Sequence, residues 1–485
     1  MPQYLSTMKK IHSILIIMTL SLIGFSCKKS FLDVEDNTEL TRQGYVKNLN
    51  TMGEYLNGIY GLLSQYSAYG THNIYPELVA DNLKPLSSPP QNLMAQYSWS
   101  QQKAGSAGYV VAPGNTNMDA FWKSSYLIIR ACNFVIEDVD KYKNENIEKA
   151  NQIKGEALSL RALLHLELVN TFSQSYVFTS DASHPGVPYI TASDLTIAFN
   201  RVPVSEVYNN IIVDLKNAAQ LLSPSMSDRR HFTLLAAKAI LARVYLFKGD
   251  FSDAKSVSQE VMEKTPLSTI GDGYPDVLFS NGSTGKTEVL FQLTPGDVIN
   301  SNFMGRFLKG RNTWFLATDD IVSLLHENEN DIRNRWVTNS AIGWSVSKFP
   351  SAVAQLRSLA EADYYQPVIR SSEMFLTFAE ACAKTGDETN ARVALDKIRQ
   401  RADLSVPTTA ATGAALLDSI YKERRKELAF EGLRMYDLQR WKLDVHRNDA
   451  LSTDWSLLTY PSNKAIAPIP LNDVTLAGLS QNIGY

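Results

Sequence analysis

Glu423, Glu427 and Glu431 recur four residues apart, a spacing that puts three carboxylates on one helix face, where they could hold a metal or pass a proton. Arg424, Arg425, Lys426 and Arg434 are interleaved with them, which turns the expectation to ion pairing and helix capping. Asp81, Asp119, Asp319 and Asp320 are acids that a glycoside hydrolase could use, but such an enzyme needs two of them about 5 to 9.5 Å apart across a cleft, and spacing brings no two together. Gly282-Ser-Thr-Gly-Lys286-Thr287 has the ending of a phosphate-binding loop. However, Ser280 stands where the first glycine is required, and strand-like Glu288 to Leu293 follows where a helix N-terminus should receive phosphate, so a polar hairpin turn is expected. The seven histidines are dispersed, without a His-Glu-x-x-His helix, and there is no Gly-x-Ser-x-Gly elbow. His165 sits in an apolar helical pattern and reads as a core histidine. No catalytic residue, metal centre or cofactor is assigned.

Aromatic residues are the other chemistry-bearing group: Tyr 22, Phe 19 and Trp 7. Trp99 lies in Tyr-Ser-Trp-Ser-Gln-Gln, Trp314 follows Gly-Arg-Asn-Thr, and Trp344 follows Gly343, all polar settings without sustained helical periodicity. With Tyr75 they are the expected ligand-binding rings. A flat ring stacks on the apolar C–H face of a pyranose while Asn, Asp and Gln read its hydroxyls, and a peptide would suit such a surface equally. A formal net charge of -3 with 20% charged residues shows no basic excess, which argues against a nucleic-acid partner.

Helices must position these rings. Asn151 to Phe172 and Val204 to Leu222 carry apolar residues at helical spacing, each predicting one apolar face. Leu241, Ala242, Tyr245, Gly249, Phe251, Ala254 and Pro266 fall at the spacing of a tetratricopeptide unit of about 34 residues, with Gly249-Asp250 as the turn. The same frame returns at Phe378, Ala379, Cys382, Gly386-Asp387 and Ala391. The expected fold is mainly α, a tetratricopeptide-like helical repeat scaffold with repeats mainly at 118–265 and 367–445. Loop-rich inserts with short strands, at about 64–113 and 267–366, are expected to form the ligand-binding face. Cys132 and Cys382 could be bridged, but both lie in apolar helical patterns and are expected to be buried free thiols.

Cys27 is set apart by what precedes it. Met8-Lys9-Lys10 supplies a positive start and Ile11 to Phe25 an apolar run of signal-peptide length, ending in Gly24-Phe25-Ser26-Cys27. Residues 1–26 are expected to be removed, with translation starting at Met1 or Met8. Cys27 is expected to become a lipidated N-terminus, although Gly24 stands where such boxes carry an aliphatic residue. Each buried methylene of an acyl chain contributes about 0.8 kcal/mol, so a few chains hold a soluble body on a membrane. Residues 27–37 then form a tether and 38–485 a single body.

Glu423-Arg-Arg-Lys-Glu-Leu-Ala-Phe-Glu-Gly432, followed by Arg434, Asp437-Leu438 and Arg440-Trp441, resembles the C-terminal signature of the SusD/RagB family. Cys27 with Phe31-Leu32-Asp33, Phe121-Trp122 with Tyr126 and Asn133, Gly155-Glu156-Ala157 with Leu160-Arg161-Ala162, and Ile398 to Ala402 accompany it in order. Pro468-Ile469-Pro470 and the ending Gln481-Asn482-Ile483-Gly484-Tyr485 complete the likeness, with Ile483 in place of the usual Pro. The resemblance implies a lipid-anchored outer-membrane protein facing the cell exterior. Such a protein captures an oligosaccharide or peptide for a SusC-like TonB-dependent barrel transporter. Arg424, Arg425, Glu427, Glu431 and Trp441 are expected to knit the terminal helix to the repeats. The alternatives are a tetratricopeptide scaffold that holds partner proteins without a small ligand, and a glycoside hydrolase.

Overall fold

Asn48 opens the first long helix, α1 (Leu49–Leu63), by accepting the amides of Asn50 and Thr51, while its own amide donates to the Thr51 hydroxyl. The computed structural model describes residues 42–64, 71–86, 93–101, 118–224, 228–279, 288–293, 313–349 and 366–485. The chain divides into two units, Met1–Lys47 and Asn48–Tyr485. In the first, a four-residue helix, Arg42–Tyr45, is described. Cys27, the expected signal peptide and tether, and the phosphate-loop-like segment at 280–287 lie outside the described residues. Among those residues, no helix is long and apolar enough to cross a membrane.

In the second unit α1 is followed by α2 (Thr71–Val79), α3 (Asp119–Asp138), α4 (Ile147–Phe172), α5 (Val204–Leu221), α6 (Leu234–Lys248), α7 (Phe251–Lys264) and α8 (Asp319–Leu325). Then come α9 (Ser371–Lys384), α10 (Glu388–Ala402), α11 (Gly413–Glu427), α12 (Arg434–Trp441) and the short α13 (Leu471–Thr475). The molecule is mainly helical, as the periodicity predicts. Where one apolar face was expected on α4, the helix is instead buried on every side from Gly155 to Phe172. Its polar residues are matched one by one. Arg161 makes a bidentate pair with Asp214 at 2.7 and 2.6 Å, Glu167 meets His72 at 2.8 Å, and Asn170 accepts from the Tyr208 hydroxyl. His165 accepts the Ile190 amide on Nε2 and faces the Arg161 carbonyl with Nδ1, and burial holds its pKa down to about 3. It is a neutral core residue. Cys132 and Cys382 are free and buried, as expected.

The two repeat frames are helical hairpins, α6–α7 and α9–α10, each turning at a glycine with positive φ, Gly249 at 82° and Gly386 at 83°. More than a hundred residues separate them in sequence, yet α7 packs directly on α9 and Lys255 reaches Asp387 at 2.7 Å. The intervening chain therefore loops out of the helical stack and returns. Its exit and re-entry strands, β2 (Val289–Leu293) and β6 (Gln366–Arg370), pair antiparallel, which closes the loop at its base. β1 (Leu83–Pro85) pairs with β3 (Phe315–Ala317), while β4 (Val337–Ser340) and β5 (Gly343–Val346) form a hairpin lying against β3. Beneath these strands is an apolar cluster containing Ile74, Leu78, Phe279, Phe315, Trp336, Val346, Phe349 and Phe430. Its members come from α2, the insert and the C-terminal signature, so three distant stretches of chain share one core.

Candidate functional site

Trp314 and Trp344 lie at strands that pack on each other. Trp314 immediately precedes β3, and Trp344 lies on β5, which packs on β3. Both rings are half-buried and rest on the insert's apolar cluster. Across the hairpin Trp344 stands opposite Asn339, which is exposed, and its ring centroid is 5.4 Å from that of the exposed His326. An indole, an amide and an imidazole thus meet at one rim, a set able to stack on an apolar ligand face and to bond its polar edge. Gly343 sets how closely the hairpin approaches. With φ at 116° a side chain here is strained, and an added Cβ only 2.9 Å from Leu316 Cδ1 would have to push that leucine aside.

The hairpin is bolted to the C-terminal signature from below. Lys348, two residues past β5, donates to the carbonyls of Glu427 (3.0 Å) and Ala429 (2.9 Å) and to Glu431 Oε1 (2.6 Å). Its ammonium also sits 3.8 Å from the ring centroid of Trp336. Burial pushes its pKa down to about 8. Glu427, fully buried at the end of α11, accepts from Arg333 (2.9 Å), Arg370 (2.6 Å), Arg401 (2.7 Å) and the Tyr274 hydroxyl (3.0 Å). Burial pushes its pKa up, but the surrounding guanidinium groups outweigh that and hold it well below the usual carboxylate range. Glu288, which precedes β2, and Glu431 join the same network through Arg370. The glutamates four apart are therefore ion-pair partners, as expected, but of Arg333, Arg370, Arg401 and Lys348, while the interleaved cations pair with Asp437, Asp81 and Asp331. Trp441 donates to Glu380 at 3.0 Å, and Arg424 pairs with Asp437 at 2.8 Å, tying α12 to α9 and α11.

Tyr75 and Trp99, also expected at the ligand surface, lie in the interior, 0% and 7% exposed. Gln101 donates to the Tyr75 hydroxyl, and the Trp99 indole donates to the Val79 carbonyl at 3.0 Å. For Trp99 the cause is Arg447. Its guanidinium donates to the carbonyls of Leu78, Val79, Ala80 and Tyr97 and is covered by the Trp99 and Tyr97 rings, 4.0 and 4.2 Å from their centroids. Trp99 thus shields a buried cation. Its polar sequence neighbours resembled a surface loop, and no local signal names a partner almost 350 residues away.

The acids considered for hydrolysis are dispersed in role. Asp81 is clamped by Arg434 at 2.7 and 2.9 Å, Asp320 accepts from the Asn448 amide, and Asp319 sits beside Lys84 at 3.6 Å. Asp119 lines a different cleft. Among the described residues, no three His, Cys, Asp or Glu side chains gather as metal ligands. His326, Asn339 and Lys348 were not read from the sequence. The hairpin turn Ala341-Ile342 carries no Asn-Gly or Asp-Gly signal that would have set Asn339 opposite Trp344.

A family profile described as starch-binding, associating with the outer membrane, matches residues 30–246, and a profile of the SusD family matches residues 323–485. SusD-like protein P2 of Formosa agariphila is 24% identical over 490 residues, covering 90% of this chain and 91% of that protein. A SusD superfamily protein from Bacteroides thetaiotaomicron of known structure aligns with a TM-score of 0.79 at 24% identity, over 90% of this chain and 100% of that one. A laminarin-binding SusD-like protein aligns at 0.71 and 21%, over 91% and 100%. The matched profiles span both ends of a chain whose C-terminal signature is the hub of the buried ion network, and the chain belongs to the SusD/RagB family.

Proposed function

We propose that this chain is a cell-surface nutrient-binding lipoprotein that captures an oligosaccharide, or a peptide, and delivers it to a SusC-like TonB-dependent barrel. The observation that carries this reading is the rim formed by Trp344, Asn339 and His326, with half-buried Trp314 beside the neighbouring strand, on a family scaffold whose relatives include a laminarin-binding protein. Half-buried aromatic rings on neighbouring strands beside an amide suit a glycan, and the hairpin's tight seat keeps the Trp344 ring preorganised. Acylation of Cys27 would hold the body on the outer membrane facing outward. The protein binds its ligand without turning it over.

Titration with laminarin oligosaccharides, other glycans and short peptides tests this, with Trp344→Ala and Trp314→Ala as variants. One stacking ring is worth about 1 to 3 kcal/mol by analogy with base stacking. Each variant should therefore lose roughly ten- to a hundredfold in affinity with its helical circular dichroism unchanged. Unchanged affinity in both would place the binding surface elsewhere.

A further inference from the structure

A cleft of about 910 Å³ lies away from the tryptophan rim and shares no residue with it. It runs along α3, between the segment 188–199 and the tail Pro470–Leu479. Its walls are fixed from within. The Tyr126 hydroxyl donates to the Pro188 carbonyl at 3.0 Å, and Arg130 donates to the carbonyls of Ala192, Asp194 and Ile197. Arg201 donates to the Gly186 carbonyl (2.6 Å), the Ser480 carbonyl (2.9 Å) and Asn482 Oδ1 (2.8 Å), so the C-terminal tail is tied to the opposite wall. A cleft of this volume, its walls cross-bonded at part-buried and exposed positions, has the size of a ligand site.

Two features of its lining define what it would accept. Asp119, in the first turn of α3, and Asp473, in α13, both face partial burial, and neither has an ion pair among the described residues. Arg130 and Arg201, the guanidinium groups nearby, are occupied by wall carbonyls. The Trp122 indole bonds Asp473. Burial pushes both carboxyls up, and the charge of Asp473 pushes Asp119 further. The second feature is apolar: Leu195, 68% exposed, and half-buried Phe199, whose ring centroid lies 5.8 Å from the Arg130 guanidinium, both line the cleft.

We propose that this cleft is a second binding site, for a ligand that presents a primary ammonium beside an apolar face. The ammonium sits between Asp119 and Asp473, where it supplies the cation the two carboxylates lack, and the apolar face lies against Phe199 and Leu195. Amino-sugar oligomers and lysine-bearing peptides both have this chemistry.

Titration of the mature protein with glucosamine oligomers, N-acetylglucosamine oligomers of equal length and the peptide Lys-Leu-Lys separates the sources. Binding of the glucosamine oligomers assigns the amino sugar and binding of the peptide assigns the basic side chain. In either case the N-acetylated oligomer should bind at least tenfold more weakly. Asp473→Asn and Asp119→Asn should each weaken amine binding at least tenfold with circular dichroism unchanged. Lys123→Glu, at an exposed lining position on α3, should strengthen it and does not depend on altering a buried group. The proposal is overturned if neither amine ligand binds, if the N-acetylated oligomer binds equally well, or if the charge variants leave affinity unchanged.

Discussion

Glu427 receives three guanidinium groups and a phenol in a site closed to water, which makes it the most sensitive single carboxylate in the described network. Breaking one partner of a buried ion network costs about 3 to 5 kcal/mol, because the cations left behind remain desolvated. Glu427→Gln should therefore lower the melting temperature sharply or abolish soluble protein, and a melting curve close to wild type would contradict the role given to the hub. Asp81 extends the same logic to acid. Burial pushes its carboxyl up, but Arg425 and Arg434 outweigh that and hold it at about 2, and Asp331 is held at about 2 beside Arg333. A carboxylate lowered from about 3.9 in the unfolded chain contributes about 2.6 kcal/mol that is present above pH 4 and lost as the pH falls toward 2. Denaturant titrations at pH 6, 4 and 2.5 should show stability falling steeply across the last interval, with a shallower fall in Asp81→Asn. Trp99→Ala should cost about 3 to 5 kcal/mol as a core truncation. Ligand affinity should be retained wherever the variant folds, the reverse of the Trp344→Ala outcome. Single residues were legible in kind at Glu423 to Glu431, where interleaved charges announced ion pairing, although the partners are the distant Arg333, Lys348, Arg370 and Arg401. They were illegible where a distant arginine decided burial, as at Trp99.

Among elements, the repeat hairpins were readable because a glycine turn and small helix-contact residues recur in register, and Gly249 and Gly386 adopt the positive φ that the turn requires. The β4–β5 hairpin was not. Its seat depends on Leu316 in another strand and on Lys348 reaching past the end of α11, contacts that no local pattern encodes. Gly343→Val forces a side chain into Leu316, an overpacking of about 1 to 3 kcal/mol, and should displace the ring of Trp344 from its rim. Ligand affinity should fall far more in Gly343→Val than in Ile342→Ser at the exposed hairpin tip, as titration would show. Equal effects would mean that the hairpin's seat does not position the ring.

For the whole molecule, the mainly helical class and the inserted, strand-bearing region between the repeats were both legible, because apolar periodicity reports helices and its interruption reports inserts. The mutual burial of α2, the insert and residues 429–430 in one core was not, since it joins segments more than 350 residues apart. The sequence also supplies the address at Cys27. Cys27→Ala should move the protein from the membrane fraction to the soluble fraction or stall its processing, and wild-type protein without an acyl group on Cys27 would refute the anchor. The central claim, capture without chemistry, is tested most directly by incubating the purified mature protein with a panel of oligosaccharides and peptides while recording binding and product formation together. The account predicts saturable binding of at least one ligand with no product released. Product formation, or the absence of any binding across the panel, would contradict it.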